Sequence, residues 1–382
     1  MRNEARLEPE TTQTTVPLSP PAAESPWHWL RETIRTGGPG QVVFAINNAC
    51  NAGCAFCNFA LDRLPRAHWA FAPLDDTRRA IDVLHGLFIR YLIVTGGEPL
   101  LHPDVDAIIA HAHACGMNVL LVTNGSRLTP ARCRELATAG VSSVVISVDA
   151  AEVTAHEVNR RLPGVCEKIR RANAALAELG VQTTASVTMS RLVEDDDALI
   201  VFLRALGFAS ATFSYPLTEL PSSFLGYAPS PLVQFTRTEL EARFARVKAL
   251  KRSFPIVNPS ASLDDMQHLV RGEPQQFECL GGYRYFYLDW TLQVWRCHHW
   301  SEPIGSVFDL EPSKYVRDGC TRCMIDCFRD ASVMQHVAVN LSDAVRDLQA
   351  GRFFRAVEHV MRRSNLVSLR AAFEARRWIR GL

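Results

Sequence analysis

The chain has 382 residues, 47% of them hydrophobic, with 41 Lys and Arg against 40 Asp and Glu. This length buries a substantial core. The near balance of charge gives no electrostatic reason to expect a nucleic-acid partner, and no apolar run is long enough to span a bilayer.

Residues 1–26 are rich in Thr, Pro and Glu and lack the apolar stretch of a signal peptide. They read as a disordered leader of a cytoplasmic chain. From 41 to 215, short runs rich in Val, Ile, Leu and Thr alternate with amphipathic stretches. Strands are expected at 42–46, 91–94, 118–122, 143–148, 184–189 and 211–215, several of them apolar enough to be buried on both faces. Helices are expected at 75–85, 104–114, 130–139, 165–179 and 196–206. The alternation predicts right-handed βαβ units and a parallel sheet. Six strands are fewer than a closed barrel needs, so the expected fold is α/β, an open partial (β/α)6 barrel of TIM type over 27–227.

A helical bridge is expected at 228–276. A small hairpin domain over 277–330 follows, with strands at 284–289 and 292–297 turning at Trp290-Thr291. A basic helical tail over 331–382 closes the layout. In the tail, Leu366, Leu369 and Phe373 share one helical face. That face is expected to pack on the core and leave the arginines in solvent, with a membrane-surface or partner-docking helix as the alternative.

The chain holds 11 cysteines. A reducing cytoplasm disfavours disulfides, so clustered cysteines read first as metal ligands. Cys115, Cys133 and Cys166 are isolated and read as core residues. Cys50, Cys54 and Cys57 form a C-x3-C-x2-C run directly after the first strand. Three thiolates hold three irons of a cubane cluster and leave the fourth open, and an open position marks a catalytic metal site. The competing reading is structural zinc, which usually takes paired C-x2-C motifs and four ligands. The second strand ends in Gly96-Gly97-Glu98-Pro99, where glycines permit close backbone approach and Glu98 offers a carboxylate to an ammonium group.

Together these motifs, with Phe56 as the aromatic before Cys57, resemble the radical S-adenosylmethionine superfamily. The resemblance covers about residues 41–215. It implies a [4Fe–4S] cluster on Cys50, Cys54 and Cys57, with S-adenosylmethionine bound to the open iron. The segment from Gly96 to Pro99 would contact the methionine amino group, and Phe56 would pack near adenine. Asn124 and Ser147 end the third and fourth strands, where relatives contact the cofactor. His156-Glu157-Val158-Asn159-Arg160 resembles a family stretch whose Arg pairs with the cofactor carboxylate. Arg161 follows where Gly is usual, which leaves the choice between Arg160 and Arg161 open. The implied chemistry is reductive cleavage to a 5′-deoxyadenosyl radical that removes hydrogen from an unactivated carbon. An external donor such as flavodoxin or ferredoxin would supply the electron.

Cys279, Cys297, Cys320, Cys323 and Cys327 gather late in the chain. Their pattern resembles the twitch domain, the single-cluster relative of the SPASM domain. It implies an auxiliary [4Fe–4S] cluster on Cys279, Cys297 and Cys320, with Cys323 or Cys327 completing the set. Zinc is again the competing occupant. Four thiolates leave no open iron, which suits electron transfer. The function expected is net oxidation of a small or lipid-like molecule. Peptide modification, epimerisation and a non-catalytic iron–sulfur carrier are the alternatives. Candidates for a general base are Asp149, Tyr215, His298 and His299.

Overall fold

The computed structural model describes residues 25–215, 230–297 and 300–376. His298, His299 and the leader up to 24 lie outside the described residues. Helix α1 (Pro26–Thr36) starts inside the stretch read as leader, and the Ser25 side chain caps it. Strand β1 (Gly40–Ala45) follows. Then strands and helices alternate: α2 (Leu74–Gly86), β2 (Ile89–Thr95), α3 (Val105–Ala114), β3 (Asn118–Thr123), α4 (Pro130–Ala139), β4 (Ser143–Val148), α5 (Val153–Arg160), α6 (Val165–Glu178), β5 (Gln182–Thr188), α7 (Asp196–Ala205) and β6 (Ser210–Ser214).

The first six strands pair in parallel with their sequence neighbours. The sheet does not close among the described residues, so the architecture is the open partial barrel expected. Its two faces differ. Val42, Phe44 and Ile46 join the main core with Ile81, Leu84 and Ile108 of the surrounding helices. Val43 and Ala45 point the other way. Strands β3 and β4 alternate between buried and partly exposed positions, so they are not buried on both faces as their apolar runs suggest. The partly exposed face of β4 to β6 carries Ser147, Thr184, Ser186, Thr212 and Ser214. One wall of the barrel interior is therefore lined with hydroxyls.

Helices α8 (Arg237–Leu250) and α9 (Ser260–Arg271) lie where helices were expected, and β7 (Tyr285–Leu288), β8 (Gln293–Trp295) and β9 (Gly305–Ser306) follow. Strands β7 and β8 form the antiparallel hairpin. Asp289 sets its turn by accepting from Thr291 N at 2.8 Å, Thr291 Oγ1 at 2.6 Å and Trp295 Nε1 at 2.7 Å. The hairpin is not detached from the barrel, because β7 pairs in parallel with β1, Gln41 facing Tyr285. Without β7, strand β1 would be an open sheet edge with unpaired backbone groups.

Helix α10 (Asp326–Gln349) runs through the boundary expected at 330, and α11 (Phe353–Met361) and α12 (Arg363–Arg376) fold back on it. The tail face read as core-facing is the outer one. Leu366, Leu369 and Phe373 are exposed, while Ala371, Ala375 and Ser368 are buried. Small residues permit the closer helix approach, which reverses the expectation from apolar spacing.

Candidate active site at the strand ends

The loop after β1 brings Cys50, Cys54 and Cys57 into one buried group with Ala52 and Phe59. Arg63 fixes this loop by donating to Cys54 O at 3.1 Å, Cys57 O at 2.7 Å and Ala55 O at 2.8 Å. The only sequence signal for Arg63 is a cation shortly after the last cysteine of the motif. A methyl group at Gly53 would stand 2.5 Å from Cδ of Arg161, an exposed side chain that can shift.

Gly96 and Gly97 serve close approach to backbone. Added methyl groups would stand 2.5 Å from Asn47 O and 2.2 Å from Ala49 O. The end of β2 can therefore lie against the strand exit that leads to Cys50, and Glu98 N donates to Ala49 O at 2.7 Å. The Glu98 side chain is fully buried. It accepts from Thr123 Oγ1 at 2.7 Å, Asn124 N at 2.7 Å and Leu100 N at 3.1 Å. Burial raises its carboxyl above the ordinary range, and these donors oppose the rise. In this arrangement the carboxylate ties the ends of β2 and β3 together. Pro99 is buried in the short turn that follows.

Glu98→Ala is expected to lower stability and S-adenosylmethionine affinity together. Each buried donor left without an acceptor costs about 1–3 kcal/mol, and release of the Asn124 turn should weaken binding on the order of 10-fold to 100-fold. Urea unfolding and calorimetric titration of the reconstituted protein measure both. Lost affinity with unchanged stability would instead assign the carboxylate a direct contact with the cofactor amino group.

Asp149 and Arg160 form a buried ion pair, Oδ1 to Nη2 at 2.7 Å, and Asn159 Nδ2 donates to Asp149 Oδ2 at 2.8 Å. Of the two arginines left open by the sequence, Arg160 is the buried one. Arg161 takes the left-handed C-cap position at φ 52° and pairs at the surface with Asp62 at 2.9 Å. His156 accepts from Asp149 N at 3.2 Å, and burial followed by the Arg160 charge pushes its pKa down to about 4. It is therefore neutral near pH 7.

The structure places Cys50, Cys54, Cys57, Phe56, Gly96, Gly97, Asn124, Ser147 and Arg160 around one cavity of about 260 Å³. Thr95, which leads into Gly96, also lines it, as do Asn58 and Thr188, which carried no motif in the sequence. Burial pushes the Cys50 and Cys54 thiols up to about 12 and raises Cys57, while the Arg160 charge opposes this for all three. A donor set of three buried thiols beside one fixed cation fits a metal cluster, whose positive charge would offset the cost of ionising them.

Two base candidates fit poorly. Asp149 is engaged in its ion pair. Tyr215 is buried, stacks on Phe244 at 4.1 Å and has a hydroxyl with no hydrogen-bond partner among the described residues. Burial, then the Asp330 and Asp326 charges, raise its phenol well above the ordinary value, so it stays protonated.

The second cysteine set packs on the other face of β1. Cys279, Cys297, Cys320, Cys323 and Cys327 share one group with Val43, Ala45, Trp295 and Phe328. Cys279 N donates to Cys320 O at 2.8 Å. Arg329 lies close enough to lower the Cys279 and Cys323 thiols, against a larger rise from burial. Cys327 is raised well above the ordinary range by burial, then by Asp326 and Asp330. Trp290, on the hairpin turn, packs with both cysteine groups and meets Phe59 edge-on at 5.8 Å.

The radical SAM superfamily model matches residues 44–206, the segment that supplies this cavity. The chain carries a radical SAM domain. Relatives extend the likeness. The AdoMet-dependent heme synthase of Methanosarcina barkeri is 29% identical over 157 residues, 41% of this chain and 44% of that protein. The heme synthase of Oleidesulfovibrio alaskensis is 23% identical over 303 residues, 73% of this chain and 75% of that one. The PqqA peptide cyclase of Streptomyces rochei is 27% identical over 155 residues, 41% of this chain and 42% of that protein. The match therefore spans less than half the length of the first and third of these relatives. SuiB of Streptococcus suis, solved bound to S-adenosylmethionine, shares the fold at a TM-score of 0.53 and 14% identity, over 70% of this chain and 62% of its own. Among the described residues, no helix is long and apolar enough to cross a membrane.

Proposed function

We propose that the protein is a radical SAM oxidoreductase that binds a [4Fe–4S] cluster through Cys50, Cys54 and Cys57 and acts on a polar small molecule. One observation carries this reading: the three thiols, the Gly96-Gly97 turn, Arg160 and the Ser147 and Thr188 side chains line a single cavity at the strand ends. When bound, the cluster and S-adenosylmethionine supply one-electron chemistry able to remove hydrogen from an unactivated carbon. The chain's own residues bind and orient. Gly96 and Gly97 bring peptide groups to the cavity, Arg160 offers a fixed cation to a carboxylate, and the hydroxyls offer contacts to a polar ligand. Buried walls limit water around the reacting groups.

We assign a second cluster to Cys279, Cys297, Cys320 and Cys323, with Cys327 as the spare thiol. Burial raises all three of these thiols; Arg329 opposes the rise at Cys279 and Cys323, whereas Asp326 and Asp330 add to it at Cys327. A fully ligated cluster beside the first would accept the substrate electron in a net oxidation. The double variant Cys279→Ala, Cys297→Ala is expected to bind S-adenosylmethionine, release 5′-deoxyadenosine on reduction and lose one of two cluster signals in electron paramagnetic resonance. The surviving signal should be the one that S-adenosylmethionine perturbs. A variant that keeps all its iron, or a wild type holding zinc at this set, would refute the second cluster. A folded variant with normal product would make the set structural and favour a redox-neutral reaction such as epimerisation.

Peptide modification is the second reading. It is favoured by the likeness to the PqqA peptide cyclase and by the fold shared with SuiB, which has also been solved with its precursor peptide. Substrate-dependent 5′-deoxyadenosine release, tested with polar small molecules and with peptides, separates the two.

A further inference from the structure

Helix α11 reads Phe-Phe-Arg-Ala-Val-Glu-His-Val-Met. At about 100° per residue, Phe353, Phe354, Val357, Val360 and Met361 fall on one side, and Arg355 and His359 on the other. A surface helix of this kind normally buries the apolar side. Here Phe353 is 61% exposed, Phe354 88%, Val357 43%, Val360 54% and Met361 74%.

Polar contacts set this orientation. His359 Nε2 lies 3.3 Å from Asp347 Oδ2, and Arg352 Nε donates to Asp347 Oδ1 at 2.7 Å. Arg362 Nη1 donates to Asn340 Oδ1 at 3.2 Å. The inward side borders a cavity of about 590 Å³ lined by Arg317, His336, Asp347, Arg355 and His359 among others. Turning the apolar side inward would break these pairs and put phenyl rings against charges. Helix α12 adds Leu366, Leu369 and Phe373, at 64%, 44% and 58% exposure. Arg363 and Arg370 are exposed on α12 beside this apolar side, whereas Arg352, Arg355 and Arg362 border the inward cavity; Glu358 is the exposed acid of α11.

We propose that α11 and α12 form a docking face for an anionic membrane surface, with the Phe and Met side chains entering the acyl boundary and the arginines meeting lipid phosphates. An outward apolar stripe beside surplus arginine is the pattern of an interfacial helix. A two-fold pairing of this face with a second copy would bring arginines against arginines. The proposal is independent of the chemistry at the cysteine sites.

The test is sedimentation of the cluster-loaded protein with vesicles of phosphatidylcholine alone and of phosphatidylcholine mixed with phosphatidylglycerol. Binding is expected to the mixed vesicles, to weaken at high salt, and to fall on the order of 10-fold or more in Phe354→Ser, Met361→Ser. Both residues are exposed, so melting temperature and iron content should match wild type. Absence of binding to the mixed vesicles overturns the proposal, as does binding that this double substitution leaves unchanged. Self-association abolished by the double substitution, without vesicle binding, assigns the face to a second copy and also overturns it.

Discussion

The triple variant Cys50→Ala, Cys54→Ala, Cys57→Ala is expected to release no 5′-deoxyadenosine on reduction. After reconstitution without oxygen, it should hold about four irons per chain where the wild type holds about eight, as for loss of one cubane of two. The effect is close to all-or-none, because no other described cysteine lines that cavity. Iron should persist in the variant, because the second set packs with Val43, Ala45 and α10 residues in a separate group. Iron and acid-labile sulfide analysis, with chromatography of the nucleoside, measures both outcomes. Loss of all iron would mean that the second set cannot assemble alone. About four irons in the wild type with equimolar zinc would assign the second set to zinc.

Arg160→Leu is expected to destabilise the fold by about 3–5 kcal/mol, the range for breaking one side of a buried ion pair. Asp149 would keep the Asn159 amide but lose the cation that offsets its burial. The same change removes the positive charge that favours thiolate at Cys50, Cys54 and Cys57, so cluster assembly should slow as stability falls. Adding Asp149→Asn should restore part of the stability and none of the assembly rate. Urea unfolding and the time course of visible absorbance during reconstitution separate the two effects. A loss under about 1 kcal/mol is the size expected for an exposed pair and would show that Asp149 reaches water.

The six parallel strands were legible because Val, Ile and Leu runs recur between helical stretches. The first cysteine loop was legible because its three cysteines are close in sequence. The fate of Glu98 was not. A carboxylate after two glycines looks like a ligand group, and only the fold brings Thr123, Asn124 and Leu100 to it as donors. Arg160 and Arg161 are chemically identical neighbours, and a helix end decides between them: one residue completes α5 and points inward, the next takes the left-handed cap and points out. The pairing of β7 with β1 links distant segments, for which local pattern carries no signal. In α12, hydrophobicity pointed the wrong way, because Ala371, Ala375 and Ser368 pack more closely than Leu366 or Phe373 could.

Strand β1 sits between β2 and β7, and β7 is formed by residues far along the chain. During synthesis, the motif cysteines and their parallel strands leave the ribosome long before the segment that covers the edge of β1. Closing that long loop carries an entropic penalty and slows folding relative to local contacts. Until then β1 offers unpaired peptide groups to other nascent chains, and the thiols after it lack the finished scaffold. The order of the sheet therefore leaves the edge of β1 open until the late segment folds, and exposes the unfinished chain to pairing with others.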